Sequence, residues 1–108
     1  MLPSIQITFA QDATEHAFRS ILYAMSINRL GDHRLDEIAR KNECKLQDIW
    51  LRLEPLLDEY AWLWELRNIS RYSHVDSPAY SEPLITKEMT IRAMKIVNDL
   101  LFIARRMV

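Results

Sequence analysis

A single glycine, Gly31, in 108 residues leaves almost none of the backbone freedom that tight hairpin turns require. Prolines stand only at positions 3, 55, 78 and 83. Such shortages exclude a strand-rich fold and point to helix. One glycine also excludes a glycine-rich phosphate loop, so the chain is neither a P-loop nor a dinucleotide enzyme. The lone cysteine, Cys44, excludes a disulfide framework and a multi-cysteine metal site, and predicts a reducing, cytoplasmic setting. It sits between Glu43 and Lys45 with no companion histidine motif, which argues against a nucleophilic role. Histidines at 16, 33 and 74 lack metal-ligand spacing, so no metal or other cofactor is expected. No apolar run of about 18 residues is present to span a bilayer, and the Met-Leu-Pro-Ser start lacks the features of a signal peptide. The net charge of -1 provides no general basic field, so any nucleic acid must bind through a local patch. A DNA-reading helix-turn-helix is excluded too, because no short turn joins two helices with basic residues gathered on the second.

What is present is apolar periodicity. A hydrophobic share of 49% supports one domain with a single core. From about Gln11 to Met25, Ala13, Ala17, Ile21, Leu22 and Met25 recur at helical steps, and Ser26 to Gly31 closes that helix. Asp32 is placed to cap a short helix over 34–41, with Asp36 and Glu37 in its first turn, where the helix dipole favours acids. A long segment over 46–73 is divided by Pro55, which predicts a kink or a new helix starting there. The stretch SHVDSPAYSEPLI reads as an ordered loop. Thr86 then caps a last helix with Met89, Ala93, Met94, Val97, Leu100, Leu101, Ala104 and Met107 on its apolar stripe, and Arg105 and Arg106 in its last turn.

The segment RNISRYSH, Arg67 to His74, follows directly on the apolar run YAWLWEL. At 100° per residue, Leu56, Tyr60, Leu63, Trp64, Ser70, Arg71 and His74 fall within about 60° of Arg67. Trp62, Ile69 and Tyr72 lie on the far side, beside Asp58 and Glu65. A helix apolar on two sides is buried on both, and a domain this small has one core. The second face is therefore expected to meet another chain, along residues 56–73, in a homodimer or a tight heteromeric contact. Seven positions separate Arg67 from His74, about 10 Å along a helix axis, so a direct bond needs a fold-back of the chain or a two-fold axis. A neutral histidine can move a proton near pH 7 and a guanidinium can grip a phosphate by two hydrogen bonds. Asn68 and Arg71 can position the same anion. These are the ingredients of metal-free RNA cleavage by the substrate's own 2′-hydroxyl. Two alternatives stand beside it: cations meeting the last carbonyls of the helix, and passive anion binding. Trp50, Trp62 and Trp64, at helical spacing, read as core and interface residues in preference to base-stacking platforms, and His16 as solvated.

Two stretches carry a wider likeness. TEHAFRSILYAMSINRLGDHRLDEIARKN, which includes His33, resembles the first helix, the loop and the histidine-bearing entry to the second helix of HEPN (higher eukaryotes and prokaryotes nucleotide-binding) domains. RYSHVDSPAYSEPLITKEMTIRAMKIVNDLLFIARRM resembles their Arg-Tyr-Pro-Asp turn, proline-bearing loop and final helix. Between them, Arg67-Asn68 followed by His74 is similar to the family's ribonuclease signature. The resemblance implies an all-α, up-and-down bundle of four to five helices over 1–108 that commonly dimerises. It also implies one of two roles. In the first, a metal-independent, toxin-like endoribonuclease has Arg67 and His74 as catalytic residues. In the second, a non-catalytic module works with a small nucleotidyltransferase. In either, Asn68, Arg71 and Tyr72 would hold nucleotide or phosphate.

Overall fold

A computed structural model describes residues 3–28, 30–31, 34–72 and 85–107; side-chain surroundings are described from Ile5, and within the longest helix as far as Leu66. Helix α1 (Pro3–Ala24) starts on a proline, whose fixed φ and missing N–H suit a first helical position. It begins well before Gln11, where apolar periodicity becomes clean. The reason is burial: Ile7 and Ala10 are in the core with Ala17, Phe18, Ile21 and Leu22. Each large aliphatic side chain so buried contributes about 1.5–3 kcal/mol, which outweighs the modest helix propensity of a β-branched residue.

Ser26 ends α1 with φ of 63°. Its N–H donates to the Tyr23 carbonyl at 3.0 Å, and the Ile27 N–H donates to the Leu22 carbonyl at 2.9 Å. Together with the burial of both Leu22 and Ile27, this is a Schellman stop with its apolar contact. The closure predicted over 26–31 is therefore present and depends on a left-handed serine.

Helix α2 (Leu35–Lys41) begins at Arg34, whose side chain does not cap it. Asp32, expected as the cap, lies outside the described residues, as does His33. Asp36 is the buried partner of Arg34, with a fork of hydrogen bonds at 3.2 and 3.0 Å. A single turn, α3 (Glu43–Leu46), and a 3-10 turn (Gln47–Ile49) lead into α4 (Trp50–Tyr72). Helix α4 starts before Pro55 and continues through it. The missing N–H of Pro55 leaves the Leu51 carbonyl without its usual donor, but both residues are on the exposed side, where water can serve.

Helix α5 (Lys87–Arg106) is capped by Thr86, as the sequence predicts: its hydroxyl accepts from the Met89 N–H at 3.2 Å. The Met89 sulfur stands in for the usual glutamate of a capping box, accepting from the Thr86 N–H at 3.4 Å. The buried stripe of α5 is Ala93, Ile96, Val97, Leu100 and Ile103. Met94, expected inside, is 48% exposed.

Helices α4 and α5 run antiparallel, since Glu59 meets Arg92 while Pro55 lies by Asp99. Helices α2 and α4 do the same, with Arg34 at Trp64 and Arg40 at Asp58. One core joins all four of these longer helices. At its centre the rings of Phe18 and Tyr60 meet edge to face, with centroids 5.2 Å apart. No strand occurs among the described residues, so the fold is all-α, and no described helix is long and apolar enough to cross a membrane.

The left-handed conformation of Ser26 costs a residue with a Cβ roughly 1 kcal/mol, which glycine avoids. Ser26→Gly should therefore raise stability by about 0.5–1 kcal/mol, read as a higher urea midpoint at unchanged slope. A lower midpoint would contradict this reading of the α1 stop.

Candidate functional site

The sequence places its candidate residues at the C-terminal end of α4, so the site begins with what holds that helix. Buried residues Leu53, Leu57, Tyr60 and Leu63 occupy one side. On the opposite side Trp62 is half-buried under Arg92, whose guanidinium carbon sits 3.9 Å from the ring centroid. Arg92 also grips both carboxylate oxygens of Glu59, at 2.7 and 2.8 Å. This hydrogen bond holds the Glu59 carboxyl below its ordinary pKa, partly opposed by burial. The pair is about half exposed and is worth about 1 kcal/mol or less. Its effect is chiefly to lock α4 against α5. On a third side Arg34 lies over Trp64, 5.1 Å from its centroid.

The two-sided apolar character of α4 is thus satisfied at Trp62 within the chain, by α5. An isolated second face does not have to be invoked there. Trp62 and Trp64 each present a ring to an arginine, and Trp50 packs against the core, which leaves them as packing residues and not as an open stacking platform. His16 is exposed.

Facing α4 from α1 is a buried polar group that apolar periodicity does not reveal. Gln11 and Thr14 are fully buried, and the Gln11 amide donates to Glu15 at 3.1 Å. The Tyr60 hydroxyl lies 3.5 Å from the same carboxylate oxygen. Gln11 Oε1 and Thr14 Oγ1 have no hydrogen-bond partner among the described residues. Burial first, and then the Glu15 charge, raise the Tyr60 pKa well above the ordinary phenol value, against opposing hydrogen bonds from the Leu35 backbone and Gln11. The phenol is a neutral fixture of the helix packing and not a proton-transfer group at neutral pH.

Beyond Leu66 the α4 backbone continues helically to Tyr72, so Arg67, Asn68, Arg71 and Tyr72 belong to its last two turns. Their side chains, with that of Ile69, lie outside the described residues, as do His74 and all of 73–84. Of the acids in α4, Asp58 pairs with Arg40 at 3.1 Å and Glu59 with Arg92, while Glu65, two positions before Arg67, is exposed. No group of acids, histidines and cysteines suited to a metal ion occurs among the described residues.

Comparison with protein families matches residues 4–107 to the model of the HEPN domain. Comparison with curated proteins gives no significant match, and neither does comparison with solved structures.

The raised phenol pKa has a sign. The folded state keeps Tyr60 neutral while the unfolded chain ionises near pH 10, so this stability is complete below about pH 10 and is lost above it. Relative to Tyr60→Phe, the native protein should lose about 1.4 kcal/mol per pH unit above that point. Parallel stability profiles for the two proteins between pH 9 and 11 would contradict the assignment.

Proposed function

Taking as premise that the chain belongs to the HEPN domain family, which its match over 4–107 establishes, we propose that it is a metal-independent endoribonuclease acting as a homodimer. In this reading Arg67 and Arg71 hold a bridging phosphate, with Asn68 and Tyr72 completing its hydrogen bonds. His74 handles the proton. The 2′-oxygen forms a bond to the adjacent phosphorus while the bond from phosphorus to the 5′-oxygen breaks. A base takes the 2′-hydroxyl proton and an acid delivers one to the leaving 5′-oxygen, so the products are a 2′,3′-cyclic phosphate and a free 5′-hydroxyl. No side-chain nucleophile enters.

The observation that supports this reading is the continuity of α4 to Tyr72. Arg67 and Arg71 are four positions apart, one helical turn, on a rod fixed upstream by α1, α2 and α5. A second reading, a nucleotide-binding module that works with a small nucleotidyltransferase, uses the same cations without His74. It is favoured by the net charge of -1, which suits a small anion better than long RNA.

Incubation of the protein with single-stranded RNA in EDTA should yield cyclic-phosphate ends. Arg67→Ala and His74→Ala should each lower the rate by about 100-fold or more with unchanged helicity. Full activity in either variant would overturn the assignment. A nucleotide-dependent thermal shift, lost in Arg67→Ala, from a protein that cleaves nothing would give the second reading.

A further inference from the structure

Arg34 stands at the N-cap position of α2, yet its side chain makes no capping bond there. It turns instead to Asp36 and to α4. Its Nε donates to one carboxylate oxygen of Asp36 at 3.2 Å and its Nη2 to the other at 3.0 Å, a fork that fixes the plane of the guanidinium. The carboxylate end of the pair is buried, at 7% side-chain exposure, while the arginine end reaches solvent, at 24%. The guanidinium carbon also lies over the Trp64 ring, 5.1 Å from its centroid and within cation–π range.

A guanidinium carries its N–H donors in one plane. Asp36 takes the edge made by Nε and Nη2, and Trp64 takes one face. Nothing else among the described residues bonds to this group, so Nη1 and the opposite face are left for a ligand.

Its place in the fold narrows what that ligand is. Trp64 precedes Arg67 by three positions, Asn68 by four and Arg71 by seven, so all three stand within about 60° of Trp64 on one side of α4. The step from Trp64 to Arg67 or Asn68 is about 4.5–6 Å along the axis, comparable to the span from a nucleotide's phosphate to its base. The pairing with Asp36 narrows it further. A phosphate arriving at Arg34 would meet the Asp36 carboxylate as well, whereas a flat neutral ring has no such conflict, and bases stack on arginine planes as they do on aromatic rings. Asp36 and Trp64 hold the plane in place beforehand, so little side-chain freedom is lost on binding. Arg92, Glu59 and Trp62 form a trio of the same chemistry. Trp62, however, stands about 140° around α4 from Arg67, and its trio serves the α4–α5 contact.

We infer that the guanidinium of Arg34, backed by Trp64 and held by Asp36, is a stacking shelf for the nucleobase of the nucleotide whose phosphate binds at Arg67 and Arg71. The inference rests on the proposed function for that phosphate. It applies to RNA and to a free nucleotide alike, since both present the same ring.

Isothermal titration of the full chain compares adenosine 5′-monophosphate with ribose 5-phosphate, which has the same sugar and phosphate and no base. The nucleotide should bind about 10-fold more tightly, the effect of one stacked base. Arg34→Lys keeps a cation opposite Asp36 and loses the plane. It should weaken the nucleotide by about the same 10-fold and leave ribose 5-phosphate unchanged. Arg34→Met combined with Asp36→Leu, which leaves no buried carboxylate unpaired, should do the same at unchanged helicity. Arg92→Lys, in the other trio, should leave the base preference intact. Cleavage of single-stranded RNA by the native chain would assign the base to RNA, and Arg34→Lys should then raise KM at unchanged kcat. Equal weakening of both compounds by Arg34→Lys would make Arg34 a phosphate ligand and overturn the shelf. An undiminished preference in that variant, equal binding of the two compounds by the native chain, or an unchanged KM would overturn it too, with the proposed function left standing. A native chain that binds neither compound and cleaves no RNA would remove the proposed function, and the shelf with it.

Discussion

Everything in this molecule depends on α4 being clasped between two helices at once. Tyr60 meets Phe18 on one side, and Trp62 lies under the Arg92–Glu59 pair on another. A helix free on one side would need only a narrow apolar stripe. Helix α4 carries a broad one, which explains both its greasiness and the ability of the chain to run a helix through Pro55. The lost hydrogen bond costs on the order of 3 kcal/mol in a helix interior, and the buried Leu53, Leu57 and Leu63 offset it. Because the clasp acts from Leu53 to Leu66, the last two turns extend from a fixed base.

Local chemistry made several elements legible. Thr86 and Met89 cap α5, and Ser26 ends α1 because residues within a few positions of one another suffice to define a cap. The early start of α1 was not legible, since Ile7 and Phe9 favour other conformations locally and only packing across the bundle decides for helix. The stripe of α5 is rotated from the one predicted: Ile96 and Ile103 are inside, Met94 is half out. Two overlapping apolar stripes fit α5 nearly equally well, and the choice depends on α1, far away in sequence. The surplus leaves Ile91, Met94 and Phe102 exposed.

The candidate site was legible as a pattern and not as a geometry. Arg67, Asn68 and Arg71 stand at turn-by-turn spacing in a sequence that reads as helix, and the backbone is helical there. What spacing cannot give is which charges are already spent. The pairing of Arg92 with Glu59 links positions 33 apart, and that of Arg40 with Asp58 positions 18 apart. Such partners leave no periodic trace. Of the second apolar face read on α4, Trp62 is covered by Arg92 of α5 in the same chain, while the side chains of Ile69 and Tyr72 lie outside the described residues.

The central claim is that α4 is one rod from its clasped middle to Tyr72. Native-state hydrogen exchange tests it directly. The backbone amides of Asn68 to Tyr72 should be protected together with those of Leu57 to Leu66, in one cooperative unit. Exchange of the 68–72 amides at the rate of an unfolded chain, while those before them stay protected, would contradict the account.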